Sequence, residues 1–253
     1  MVLTEPIFLY RLKMNQADTN PVLHLVLLPG LDGTGNLFSP FLKQFSDQSC
    51  ATVIPYPLDH YIPFEHLADY IISLLPKNKP IIILGESYSG PVALSLASRK
   101  DIDIQAVILV ATFAKYPPSF LKTISKWLPL SLFLQLPIPD FVIRRFCFGS
   151  ATNKTLSLML RNAVKANTPN VLAKRARDGA SIDVTKLLNE IKIPCLYIAA
   201  TDDKMVPNKA IDILKRNLSN LEVVTIEGSH FILQVQPEGC YKVINKFLCS
   251  IND

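Results

Sequence analysis

The stretch Ile81-Ile82-Ile83-Leu84-Gly85-Glu86-Ser87-Tyr88-Ser89-Gly90 decides the fold. Four consecutive large apolar residues, three of them β-branched, read as a strand buried on both faces. A turn of small residues follows, and a helix begins near Gly90. A serine at such a strand–turn–helix corner is presented as a nucleophile in one large group of enzymes. The alternative is a turn serine with no chemistry, so the partners of Ser87 become the question.

A serine hydroxyl is a weak nucleophile at neutral pH. It needs a base, a group that orients the base, and donors for the oxyanion that develops. Downstream, Ile193–Ala200 reads as a buried strand whose Pro194 suits a strand start. It runs into Thr201-Asp202-Asp203-Lys204. Leu221–Ile226 reads as the next strand and opens into Glu227-Gly228-Ser229-His230. The candidates Ser87, Asp203 and His230 therefore follow strand ends in the chain order of an elbow enzyme. Asp202 is the neighbouring rival of Asp203. His24, inside a strand, and His60 and His66, outside any motif, suit ordinary structural or exposed roles. Glu86 and Asp32 read as residues that shape their own loops by local hydrogen bonds.

Working outward, residues 22–28 read as a strand ending at Pro29-Gly30-Leu31-Asp32-Gly33-Thr34-Gly35. Elements then alternate: a helix near 39–45, a strand at 51–55, a helix at 64–75, the strand before Ser87 with its helix, and a strand at 106–111. The strands at 193–200 and 221–226 and a helix at 240–251 complete the set. This alternation predicts an α/β fold with a mostly parallel sheet flanked by helices. Between residues 115 and 186 it breaks into helices and proline-rich turns. The expected organisation is a core of residues 1–114 and 187–253 with a helical cap, 115–186, inserted in it. Six of the nine glycines (Gly30, Gly33, Gly35, Gly85, Gly90 and Gly228) fall in the three loops named above. There a sharp turn or a close backbone approach is needed.

An oxyanion needs two N–H groups aimed at one point. One comes from the residue after the nucleophile, here Tyr88; the other comes from a loop after an early strand, where Leu31 is the candidate. The set Leu28-Pro29-Gly30-Leu31-Asp32-Gly33-Thr34-Gly35, Gly85-Glu86-Ser87-Tyr88-Ser89-Gly90, Asp203-Lys204-Met205-Val206-Pro207 and Gly228-Ser229-His230 resembles the α/β-hydrolase superfamily. It is similar in particular to small bacterial members with a PGLDGTG loop. The resemblance implies Ser87 as nucleophile, Asp203 (through its spacing to Val206-Pro207) as acid, His230 as base, and the Leu31 and Tyr88 amides as oxyanion hole. Two positions depart from the common pattern: Ser89 stands where Gly-x-Ser-x-Gly has its last glycine, and Pro29 stands where many relatives carry histidine. The implied function is hydrolysis of a carboxylic ester or thioester through an acyl-enzyme. An acyltransferase using the same triad, a carrier-protein methyl ester esterase and a non-catalytic binding module are the alternatives.

No metal or organic cofactor is expected. The five cysteines lack metal or redox spacing, and Gly30, Gly33 and Gly35 have the wrong spacing for a dinucleotide fingerprint. Scattered cysteines and the absence of a signal-type start in Met1–Lys13 lead to the expectation of a cytoplasmic protein. The apolar stretch 127–139 is too short to span a bilayer, which takes about 20 residues. The formal net charge is +5, yet residues 115–186 hold twelve Lys and Arg against three Asp. The positive charge thus belongs to the expected cap. Its apolar residues, Trp127, Phe133 and Phe141 among them, are candidates to line an acyl pocket. Arg144 and Arg145 are candidates to receive an anionic carrier such as acyl carrier protein or coenzyme A, or an anionic membrane surface. The plain alternative is a hydrophobic lid with solvated lysines. No nucleic-acid-binding motif accompanies the charge, so no nucleic-acid partner is expected.

Overall fold

A computed structural model of the protein describes residues 23–45, 51–77, 79–116, 136–207 and 209–251. Trp127 and Phe133 lie outside the described residues. Among the described residues, six strands form one sheet: β1 (His24–Leu28), β2 (Ala51–Val53), β3 (Ile81–Glu86), β4 (Ile104–Val110), β5 (Cys195–Asp202) and β6 (Leu221–Ser229). Their spatial order is β2-β1-β3-β4-β5-β6, and each pairing is parallel.

Alternation of side chains along each strand divides the core in two. Val26, Leu28, Ile81, Ile83, Val107 and Leu109 face one layer, with Leu67 and Ile71 of helix α2 (Phe64–Leu74). Leu25, Leu27, Ile82, Leu84, Ile108, Val110, Leu196 and Ile198 face the other, with Phe41 of helix α1 (Ser39–Leu42) and Phe247. This explains why β3 reads as an unbroken apolar run: both of its faces are covered. Strand β6 ends the sheet among the described residues and is only partly buried.

The chain runs from β1 outward to β2, then returns to β3 on the other side of β1. Loops leaving the carboxyl ends of β1 and β3 therefore diverge at this reversal, the place where open α/β sheets bind ligands. The loop after β1 is Pro29–Gly35. The loop after β3 carries Ser87 and leads into helix α3 (Gly90–Ala97).

Between β4 and β5, the described residues 136–186 contain helices and no strand of the sheet. A short helical stretch Asp140–Val142 continues as a π-helix, Ile143–Phe148. Helix α4 (Lys154–Lys165) starts at Asn153, whose side chain accepts the Leu156 N–H at 2.9 Å. Helix α5 (Pro169–Ser181) starts with Thr168 at its N-cap and proline at its first position. Both are standard ways to satisfy a helix start. The segment leaves and rejoins the sheet at one place. Lys115 and Asp183 form an isolated antiparallel bridge and an ion pair of 2.6 Å, and Val184 N–H donates to the Ala114 carbonyl.

Candidate active site

Ser87 sits at φ 50°, a left-handed backbone conformation that is costly for a residue with a Cβ. The surroundings impose it. A Cβ on Gly85 would lie 2.6 Å from the Ser89 carbonyl oxygen, and one on Gly90 would lie 1.9 Å from Thr112 Oγ1. Only glycine at both positions lets strand, turn and helix close up. The Thr112 hydroxyl donates to the Ser87 carbonyl. Tyr197 of β5 holds Thr112 in turn, donating to its carbonyl at 2.7 Å and accepting its N–H at 3.0 Å.

Ser89 has a use that glycine could not serve. Its hydroxyl donates to the Pro29 carbonyl, and the Tyr56 hydroxyl donates to Ser89. The side chain that departs from the common elbow pattern thus ties the elbow to the loop after β1.

Three of the expected residues come together. Ser87 Oγ lies 2.9 Å from His230 Nε2, and His230 Nδ1 lies 2.8 Å from Asp203 Oδ2. The His230 and Asp203 side chains are 3% and 5% exposed, so water competes little for this pair. Asp203 Oδ1 is already occupied: it accepts the Met205 and Val206 N–H groups, each at 2.8 Å. Its Oδ2 is left for histidine. A carboxylate at Nδ1 places the neutral imidazole proton there and leaves Nε2 free to accept from a hydroxyl. Asp202 points elsewhere, to an exposed ion pair with Lys204.

The loop Pro29–Gly35 passes beside Ser87; a Cβ on Gly30 would lie 3.8 Å from the Ser87 Cβ. Gly33 N–H donates to the Gly30 carbonyl at 3.0 Å, forming a turn with Gly33 at φ 68°. The N–H groups of Leu31 and Tyr88 have no hydrogen-bond acceptor among the described residues. Asp32 closes on its own loop, its carboxylate accepting the Thr34 N–H at 2.9 Å and the Thr34 hydroxyl at 2.5 Å.

Glu86, beside the serine, is 4% exposed. One of its carboxyl oxygens accepts from Gln234 Nε2 at 3.1 Å, while Gln234 Oε1 is buried with no partner. Burial pushes the Glu86 carboxyl up to about 7, against the pull of the Gln234 hydrogen bond. Between about pH 4.5 and pH 7 the folded protein therefore holds a proton that the unfolded chain has released. Stability falls as pH rises through that window, and the ionised carboxylate costs on the order of 3 kcal/mol above it. Glu86→Gln is expected to raise the thermal midpoint by several degrees at pH 8 and to change it little at pH 5. Thermal unfolding at both pH values checks this.

The helical segment between β4 and β5 touches the loop that carries His230. The Cys147 carbonyl, at the end of the π-helix, accepts the Ser229 hydroxyl at 2.7 Å and the Phe231 N–H at 3.3 Å, one residue to either side of His230. Phe148 packs on Phe231, and Phe231 meets the His230 ring edge-on at 5.4 Å. Next to this contact lies an open groove of about 680 Å³ lined by Phe141, Arg144, Arg145, Gly149, Ser150, Asp202 and Lys204. Phe141 is 72% exposed.

The segment also reaches the loop after β1. Arg175 of α5 and Asn167 both donate to its carbonyls. These contacts carry no sequence motif. Thr112 and Ser89 likewise act through tertiary contacts without a local pattern.

Among the described residues no group of His, Cys, Asp and Glu is arranged to hold a metal ion. No helix among them is long and apolar enough to cross a membrane.

A family model described as serine aminopeptidase, S33 (Hydrolase_4) matches residues 64–232. Over 245 residues the chain is 23% identical to the pimeloyl-[acyl-carrier protein] methyl ester esterase of Neisseria meningitidis serogroup C, covering 86% of this chain and 90% of that protein. Over 122 residues it is 29% identical to the chloroplastic phytyl ester synthase 1 of Arabidopsis thaliana; the match covers 45% of this chain and 17% of that much longer protein. The structure of a thermophilic esterase from Thermogutta terrifontis superposes with a TM-score of 0.76 at 19% identity, covering 98% of this chain and all of that one.

Proposed function

The chain belongs to the serine aminopeptidase, S33, family of α/β hydrolases, and from that premise we propose that it cleaves a carboxylic ester or thioester with an apolar acyl group. The observation that carries this reading is the hydrogen-bonded chain Asp203–His230–Ser87. Ser87 Oγ attacks the acyl carbonyl while His230 Nε2 takes its proton, and Asp203 stabilises the imidazolium. The carbonyl oxygen becomes an oxyanion held by the Leu31 and Tyr88 N–H groups. When the tetrahedral intermediate collapses, the bond to the leaving oxygen or sulfur breaks and His230 returns the proton to it. Water, deprotonated by His230, then releases the acid from the acyl-enzyme.

The test is a fluorophosphonate probe followed by intact-protein mass, with a panel of esters, thioesters and aminoacyl amides. One adduct on wild type, none on Ser87→Ala, and turnover of esters is the expected result. Folded wild-type protein that takes up no probe would overturn the reading. The amide arm addresses the peptidase activity in the family's name. Alcohols added as acceptors separate hydrolysis from acyl transfer to an alcohol; the Arabidopsis relative is named an ester synthase.

Residues 115–186 are read as a cap over this site, with Phe141 and the two arginines on its outer rim. The groove bearing Arg144, Arg145 and Lys204 favours an anionic carrier on the substrate; the Neisseria relative is named for an acyl-carrier-protein substrate. Substituting both Arg144 and Arg145 by Ala is expected to lower kcat/KM about tenfold on acyl-carrier substrates, with the deficit shrinking as salt rises. Free acyl esters should be unaffected. Equal effects on both substrates would remove the carrier.

A further inference from the structure

We infer that Arg175 is a positioning residue for the oxyanion loop, a role that rests on the hydrolase reading above. Arg175 lies 144 positions from Leu31 in the chain, yet the residue is only 3% exposed. Nη1 donates to the Leu31 carbonyl at 3.3 Å, to the Asp32 carbonyl at 3.2 Å and to Asn167 Oδ1 at 3.0 Å. Nη2 donates to the Pro57 carbonyl, and the group lies 5.5 Å over the Tyr56 ring. Asn167 adds a second donor to the Asp32 carbonyl at 2.8 Å.

The consequence follows from peptide geometry. In a trans peptide the carbonyl of one residue points opposite to the N–H of the next. Fixing consecutive carbonyls therefore aims the amides between them. In this loop all four are held: Pro29 by the Ser89 hydroxyl, Gly30 by the Gly33 N–H, Leu31 by Arg175, and Asp32 by Arg175 with Asn167. The Leu31 N–H is left unclaimed. The guanidinium lies over Gly33, where a Cβ would come within 2.4 Å of Nη1. Glycine there serves both the turn and the close seat of Arg175. Burying a cation against carbonyls is costly: burial lowers the Arg175 pKa, with Asp32 among the groups that pull it back. A packing role alone would be met by an apolar side chain without that cost. Carbonyl fixation needs the planar fork.

The experiment compares wild type, Arg175→Lys, Arg175→Met and Asn167→Leu. Each is titrated with the fluorophosphonate so that rates are per reactive Ser87, then assayed on one apolar ester and inhibited with an alkylboronic acid. That acid takes up the serine oxygen as a tetrahedral adduct. Arg175→Met is expected to lower kcat about 100-fold with KM little changed, as loss of alignment at a reacting centre does. Arg175→Lys and Asn167→Leu should each lose about tenfold, and the boronate inhibition constant should rise in step with the fall in kcat. If Arg175→Met does not fold, the other two variants carry the same comparison. Wild-type kcat per titrated site in the variants, a change confined to KM, or unchanged boronate affinity would overturn the role of Arg175. A wild type that takes no probe would instead overturn the hydrolase reading itself, and with it this inference.

Discussion

Ser87→Ala is expected to lower ester turnover by about 10⁶-fold in kcat, the scale at which serine enzymes fail when the nucleophile is removed. In the proposed mechanism the Ser87 oxygen forms the covalent bond, and the neighbours cannot replace it. His230 Nε2 would then face a methyl group, and the remaining activity would come from positioning and oxyanion binding alone. The substitution keeps the Cβ at φ 50°, so the strain of the elbow and the fold should persist. Unchanged circular dichroism with lost turnover is therefore the expected pair of results. A variant retaining even a hundredth of wild-type turnover would show that Ser87 is not the nucleophile.

Asp203→Asn is expected to cost about 10⁴-fold in kcat, and here the direction of the amide is dictated by its surroundings. Asp203 Oδ1 accepts two backbone N–H groups. In the variant the amide oxygen must stay on those donors, which turns the NH₂ toward His230. A donor at that place forces Nδ1 to accept, moves the imidazole proton to Nε2, and leaves Nε2 unable to take the serine proton. Asp202→Asn is the matched control. Its exposed pair with Lys204 is worth little, so kcat should stay within about twofold. Steady-state kinetics on both variants separates the adjacent aspartates, and equal losses would reject the assignment.

These assignments differ in how far the chain discloses them. Strand β3 is legible because a strand buried on both faces must be continuously apolar. Ser87, Asp203 and His230 are legible because each follows a strand end, in an order that implies a common site. Helix α6 (Lys209–Asn217) has no counterpart among the expected elements. Its helical period is nonetheless present in the sequence: Ala210 and Leu214 are buried and Ile211 and Ile213 pack beside them on the core. Arg175 is the clearest illegible case. In the sequence it is one of twelve cations of a basic segment, and nothing local separates it from Arg177 two positions on. Its buried seat depends on carbonyls more than a hundred positions away. Thr112 and Ser89 share that limit, since backbone acceptors leave no sequence pattern. Phe141, placed by type in an acyl pocket, lines the open groove beside Arg144 and Arg145 and is mostly exposed.

The Lys115–Asp183 bridge brings the two ends of the inserted segment side by side, so this is where a breeder of chimeric enzymes would cut. The join itself would cost little, because a replacement from a relative enters and leaves at neighbouring points. What travels with the segment matters more. It carries the guanidinium that grips the loop after β1 and the Cys147 carbonyl that clasps the loop around His230. A graft chosen only for a new surface would therefore arrive without two of the fasteners of these loops. Recombinants that keep these two contacts in register should be the ones that trade specificity without losing turnover.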